Sequence, residues 1–372
     1  MTDRSYAVVT GGGTSGHVLP ALAVADALVA AGHDPATIRY VGAQRGVETR
    51  LLPPTAYPHT FLDVAGFQRS FDRRNLGFVP KMVRSARRAK KLLRMWQPSV
   101  VVSVGGYASM PAVLAAWRLK IPVVVVSYDR TPGRASRLAA RRAAACAVAF
   151  EASPLPRAEM TGAPVRQSIL DVDRGPAARA GARAALGIPD DRFLVVVMGG
   201  SLGSGVLNDA IARFVNEHRA DNGLAVRQIA GERFASTIES VGDGSTGVLH
   251  QVVAYEDDMA SVYEACDLLV GRGGASTVHE VAVTGTPAVL VPWAASADDH
   301  QTDNVEWLSE VDGAVLLTEV SVGELGTTIE RLRTDPEALA SLSSAARRRG
   351  DIHRSGALAR LIERVAVTSA SS

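Results

Sequence analysis

Short apolar, largely β-branched runs recur along the chain, separated mostly by stretches with apolar positions at helical spacing. Residues 6–10, 38–41, 100–104, 123–126 and 147–150 form one series, each stopped by glycine, proline or a polar residue. A second series follows at 193–198, 225–229, 268–270, 288–291 and 314–317. Strands alternating with helices predict parallel sheets covered by helices, an α/β fold with two Rossmann-like domains. A chain of 372 residues suits two such domains. Residues 164–189 are rich in Ala, Arg, Gly and Pro, carry no strand pattern, and read as the linker. The expected division is 1–164 and 165–350, with a last helix at 351–367 returning to the first domain.

Glycines punctuate both series. Gly11, Gly13 and Gly16 match G-x-G-x-x-G between a strand and a helix, where backbone N–H groups and the helix dipole favour an anion. A dinucleotide enzyme also wants an acid at the end of the second strand, but Arg39, Tyr40, Val41, Gly42 and Ala43 supply none and Asp34 precedes that strand, so NAD is disfavoured. The device recurs at 199–204 and at 271–280. There Thr277 and Glu280 have the T-x-x-E spacing of a capping box, the reading that spacing alone favours. Polar residues 298–304 lie past the next strand, at the end where open α/β sheets bind ligands.

A composition with 47% hydrophobic and 21% charged residues is that of a soluble globular protein. Cys146 and Cys266 stand alone among apolar neighbours and read as reduced core residues. No apolar leader is expected at the start, and the charge-free run 95–117 is divided by Pro98, Gly105, Gly106 and Pro111, so an intracellular chain without a membrane span is expected. The net charge of +2 hides an asymmetry, since residues 73–150 hold sixteen Lys or Arg and one acid, Asp129. Lys81, Arg84, Arg87, Arg88, Lys90, Lys91 and Arg94 share one segment with Met82, Val83, Leu92, Leu93, Met95 and Trp96. That is a basic amphipathic helix, read as an anionic-membrane surface or equally as a solvated face. Aromatics are too few for a nucleic-acid patch, so no nucleic-acid partner is expected.

GGGTSGHVLPALAVADAL (11–28), GGYASMPAVLAA (105–116), GAPVR (162–166), GGSLGSGVLN (199–208), GRGGASTVHEVAVTGTPAVLVP (271–292) and DDHQTDN (298–304) together resemble the MurG family of bacterial glycosyltransferases (glycosyltransferase family 28) in order and spacing. The resemblance covers about the whole chain. It implies a GT-B fold, two Rossmann-like domains facing across a cleft, and inverting transfer of N-acetylglucosamine (GlcNAc) from UDP-GlcNAc to lipid I, giving lipid II. Peripheral association with the cytoplasmic face of the membrane goes with it, and no cofactor or metal. The one literal D-x-D, Asp171 and Asp173, sits in the linker.

By the same resemblance, His17 lies beside the reacting centre, Thr14, Ser15 and Gly16 line sugar and diphosphate, and Tyr107 lies on the acceptor side. Arg166 and Ser201 face the nucleotide, and Tyr255 and Glu256 meet the uracil mainly through backbone. Ala275, Ser276, Thr277, Val278, His279 and Glu280 wrap diphosphate and ribose, with Glu280 accepting from the ribose hydroxyls. Gln301, with Asn304 near it, bonds the GlcNAc hydroxyls, and His300 adds to them. One loop departs from the pattern: Ser127, Tyr128, Asp129 and Arg130 replace the family's usual His-Glu-x-Asn, and Asp129 becomes a second candidate for the base. Leu202 stands where Gln is common. The alternatives are another UDP-sugar enzyme of this fold, with a different acceptor or epimerase activity, and a non-catalytic UDP-sugar-binding protein.

Overall fold

A computed structural model describes residues 4–64, 78–200, 203–295 and 300–370. The chain forms two compact units, Met1–Gln167 with Ile352–Ser372, and Ser168–Asp351.

The first unit holds a parallel sheet of β1 (Ala7–Thr10), β2 (Ile38–Ala43), β3 (His59–Leu62), β4 (Val100–Ser103), β5 (Val123–Ser127), β6 (Ala145–Val148) and β7 (Ala158–Met160), in the order β3-β2-β1-β4-β5-β6-β7. The central strands are apolar on both faces and fully buried, as strands sandwiched between helices must be. The second unit repeats the plan with β8 (Phe193–Met198), β9 (Leu224–Ile229), β10 (Leu249–Val253), β11 (Leu268–Gly271), β12 (Ala288–Leu290) and β13 (Val315–Leu316), ordered β10-β9-β8-β11-β12-β13 and again all parallel. Each order reverses beside its first strand, between β1 and β4 and between β8 and β11. Such switch points leave a crevice at the carboxyl ends of the strands.

β3, β7 and β10 escape the hydrophobic pattern because their sequences, HTFL, AEM and LHQVV, mix polar and exposed positions. β3 and β10 are edge strands of their sheets, as is β7. The supposed linker is also partly ordered. Pro176–Leu186 is a helix closed by Gly187 in the left-handed conformation and packed against the helix Met259–Ala265. Its arginines have a purpose that composition hid: Arg183 donates to the carbonyls of Ala265, Pro189, Asp190 and Arg192, and both Arg179 and Arg183 bond Asp267. Asp173 of the D-x-D accepts from Gly175 N at 2.8 Å and so shapes the turn into this helix.

The basic segment is a helix, Phe78–Trp96. Ser85, Ala89, Leu93 and Trp96 form its buried stripe against the helix Met110–Leu119, while Arg84, Arg87, Arg88, Lys91, Arg94, Val83 and Met95 are exposed. The last helix, Ala357–Ala370, packs on Ser15–Ala30 within the first unit, where His33 meets Glu363 at 3.0 Å. No helix among the described residues is long and apolar enough to cross a membrane.

Candidate active site

In the first unit the glycine loop joins β1 to the helix Ser15–Ala30. Two neighbours shape it. Tyr40 donates to Gly11 O at 2.8 Å, and the fully buried Glu48 accepts from Ala43 N at 2.8 Å and Gly13 N at 3.2 Å. A Cβ on Gly12 would stand 2.4 Å from Glu48 Oε1, and one on Gly13 (φ +98°) 2.6 Å from the Tyr107 ring. Glycine is required here by close approach as well as by backbone angle. The Gly13 amide of this anion-type loop thus already serves a carboxylate of the protein's own.

His17 sits in the first turn of the helix, half-buried, with Nδ1 2.9 Å from the Tyr128 hydroxyl. Tyr128, at the carboxyl end of β5, also donates to Gly16 O. Burial pushes the His17 pKa down, against the opposing charges of Asp129 and Glu48. The imidazole is thereby held neutral at neutral pH, the state a proton acceptor needs. Burial, then Asp129, pushes the Tyr128 hydroxyl well above the usual phenol range. A cavity of about 150 Å³ is lined by His17, Gly106, Ser127, Tyr128, Asp129 and Arg134 among others. Tyr107 opens the turn after β4 and packs on Gly13, so His17, Asp129 and Tyr107 gather round one loop. Thr14 is the exposed N-cap of the helix, and Gly16 is exposed beside it; the Ser15 side chain lies outside the described residues. Arg166 also belongs to the first unit. There its charge partly offsets the burial that raises the Asp26 carboxyl, as does the Tyr57 hydroxyl at 2.5 Å.

In the second unit the glycine-loop helix that carries the candidate donor residues is Ala275–Thr284, after β11, and its N-cap is Gly274. Thr277 is therefore inside the first turn, and the capping box expected of Thr277 and Glu280 does not form, because the extended Gly274 starts the helix three residues earlier. Glu280 is buried and accepts from the Tyr263 hydroxyl at 2.9 Å. Ala275 is buried, and Ser276 and Thr277 are half-buried in the first turn. Val278 and His279 turn into the core, His279 edge-on to Trp307. Asn304 is buried with Nδ2 3.5 Å from Gly273 O, and Gln301 Oε1 accepts from Trp293 N at 3.0 Å, which sets both beside the carboxyl ends of β11 and β12. Arg272 braces this corner through Val291 O, Pro292 O and Glu319. Tyr255 and Glu256 follow β10, and the Glu256 carboxylate is taken by Arg227 at 2.6 Å. Ser201 and Leu202, Asp298 and Asp299, and the His300 side chain lie outside the described residues. Among the described residues no group of three His, Cys, Asp or Glu could hold a metal ion.

The N-terminal domain profile of glycosyltransferase family 28 matches residues 7–148, and the C-terminal domain profile of that family matches 194–356. The chain belongs to glycosyltransferase family 28. Curated relatives of the transferase are named UDP-N-acetylglucosamine–N-acetylmuramyl-(pentapeptide) pyrophosphoryl-undecaprenol N-acetylglucosamine transferase. One from Desulforudis audaxviator is 34% identical, covering 96% of this chain and 98% of its own. One from Clavibacter michiganensis is 36% identical over 91% and 90%. Among solved structures, Acinetobacter baumannii MurG is 25% identical with a TM-score of 0.71, covering 97% of the transferase and 99% of itself. The UDP and glucose complex of Anabaena HepE, 15% identical with a TM-score of 0.62 over 99% and 100%, shares the fold.

Four residues of these surroundings carried no role in the sequence reading: Glu48, Tyr128, Tyr263 and Arg272. Only Tyr128 left a signal, as part of the loop that departs from its family.

Proposed function

We propose that this transferase moves GlcNAc from UDP-GlcNAc to lipid I with inversion, forming lipid II for peptidoglycan. The observation that carries the reading is the match, at 34–36% identity over nearly the whole chain, to transferases named for that donor and acceptor. In the reaction an acceptor hydroxyl oxygen bonds the anomeric carbon as the bond from that carbon to UDP breaks. The hydroxyl proton passes to a base and the electron pair leaves on the UDP pyrophosphate. His17 takes the proton on Nε2, with Asp129 stabilising the resulting cation or serving as base in its place, and Tyr107 on the acceptor side. Thr14, Ser15 and Gly16 at the helix start stabilise the developing negative charge. Glu280 holds the ribose hydroxyls, Ser276 and Thr277 the diphosphate, and Gln301 with Asn304 the sugar hydroxyls. Arg166, Ser201 and the 255–256 backbone complete the nucleotide contacts.

Incubation with labelled UDP-GlcNAc and a short-chain lipid I analogue tests this. Labelled disaccharide lipid and UDP should appear in equal amounts. UDP release without labelled lipid, or transfer only to another acceptor, contradicts it.

Membrane binding is the second part of the proposal. The exposed basic face of Phe78–Trp96, with Val83 and Met95 among its charges, suits the anionic cytoplasmic leaflet, where each Lys or Arg contributes roughly 1 kcal/mol. Binding to acidic vesicles should be strong at low salt and weak at high salt, and replacing Arg87, Arg88, Lys90 and Lys91 by Gln should abolish it while UDP binding is kept. Equal sedimentation of variant and parent with acidic vesicles would leave this helix a solvated face.

A further inference from the structure

We propose that Tyr128 is a positioning residue for catalysis, fixing which nitrogen of His17 is bare and where it points. The inference rests on the reading of His17 as proton acceptor. The Tyr128 oxygen lies 2.9 Å from His17 Nδ1 and its hydrogen is directed to the Gly16 carbonyl. A hydroxyl has one hydrogen to give. With that hydrogen committed to a carbonyl, which can only accept, the oxygen meets Nδ1 as an acceptor. Nδ1 therefore carries the imidazole hydrogen, and Nε2 keeps its lone pair for the substrate proton.

The anchor is rigid at both ends. Tyr128 is buried at the end of β5, and Gly16 is the immediate neighbour of His17 on the same helix, so the ring is tied to the backbone that carries it. The loop after β4 confines the ring as well: a Cβ on Gly106 would stand 2.9 Å from His17 Cδ2, and one on Gly105 3.6 Å from Cε1. In a Ser-His-Asp triad a carboxylate orients the imidazole and also stabilises its cation. Here the two tasks are divided. A neutral phenol orients the ring, while Asp129 and Glu48 supply the negative charge.

Nitrogen-15 spectra of the histidine rings read the tautomer directly, and Tyr128→Phe deletes only the oxygen. In the parent at neutral pH, His17 should show a protonated Nδ1 and a bare Nε2. In Tyr128→Phe that pattern should be lost to a mixture or to the opposite tautomer, with kcat down by about tenfold or more and KM for UDP-GlcNAc little changed. A parent spectrum with the proton on Nε2 overturns the inference without recourse to any variant. So does a Tyr128→Phe protein that keeps parental kcat. Parental turnover in His17→Ala overturns instead the assignment of His17 as base, an outcome kept separate because the nitrogen pattern is read without turnover.

Discussion

The two glycine-loop helices follow strands on opposite sides of the switch point in sheets of the same order, Ser15–Ala30 after β1 and Ala275–Thr284 after β11, and they are furnished differently. In the first unit the loop is surrounded by ionisable side chains: His17, its Tyr128 partner, Asp129, and Glu48 bonded to the Gly13 amide. In the second the helix starts on a bare Gly274, and the acid near it, Glu280, is fixed by Tyr263 and buried. A strand–loop–helix unit supplies amides and a dipole to both, and the side chains at its rim decide what is done with them. The proposed function gives proton removal to the first unit and most of the donor contacts to the second.

The largest effect expected from breaking this contrast is at His17. Removal of a positioned base costs about 10²–10⁴-fold in turnover, so His17→Ala should lower kcat by that order in the lipid I analogue assay. Asp129→Asn should cost less, because a charge acting on His17 is removed and the base remains. A larger loss in Asp129→Asn than in His17→Ala would move the base to Asp129.

Next is Glu280→Ala, expected to weaken UDP by about 2–4 kcal/mol through loss of a charged acceptor for two hydroxyls. Calorimetric titration of UDP checks it, with Tyr263→Phe as companion. Losing only the Tyr263 bond should cost less affinity than losing the carboxylate. An unchanged UDP affinity in Glu280→Ala would reduce Glu280 to a support for Tyr263.

The smallest effect sharpens the contrast by comparing histidines. His250, buried in the second unit, accepts from Val241 N and meets Gln228 Oε1 at 3.0 Å, and Gln228 in turn donates to Asn208 on the helix after the β8 glycine loop. Burial pushes its pKa down to about 4 from an ordinary 6.5. Between those values the unfolded chain binds the proton and the folded chain does not, so stability falls as pH drops through 6.5 and the loss is complete below about 4. From pH 7 to 4.5 the cost is about 2 kcal/mol. Denaturant unfolding of the second unit in parent and His250→Gln should show the variant less sensitive to acid over that range. Parallel curves would remove His250 from the account.

How much of this could be read beforehand depended on which residues make their own signal. The central strands and both switch-point loops were legible, because valine runs ending in glycine have few other meanings. Three of the four edge strands were not, since β3, β7 and β10 gain their hydrogen bonds from neighbours rather than from an apolar pattern, whereas β13 was expected at 314–317. Thr277 and Glu280 suggested a capping box because spacing cannot tell which residue starts a helix, and Gly274 upstream starts it. Glu48 was invisible for a different reason. Nothing in VETRLL separates a carboxylate that binds the Gly13 and Ala43 amides from one on a solvated turn, because the link to Gly13 spans 35 residues of chain. His17 was legible through its motif and family, but the atom it leaves free for chemistry depends on Tyr128, 111 residues away.

The central proposal, that proton removal belongs to the first unit and most of donor binding to the second, is tested most directly by a crossed measurement. UDP affinity by titration and lipid I turnover at saturating UDP-GlcNAc are measured for both His17→Ala and Glu280→Ala. The account predicts that His17→Ala loses turnover with UDP affinity kept, and that Glu280→Ala loses UDP affinity by far the more. Equal loss of UDP affinity in the two variants would contradict it.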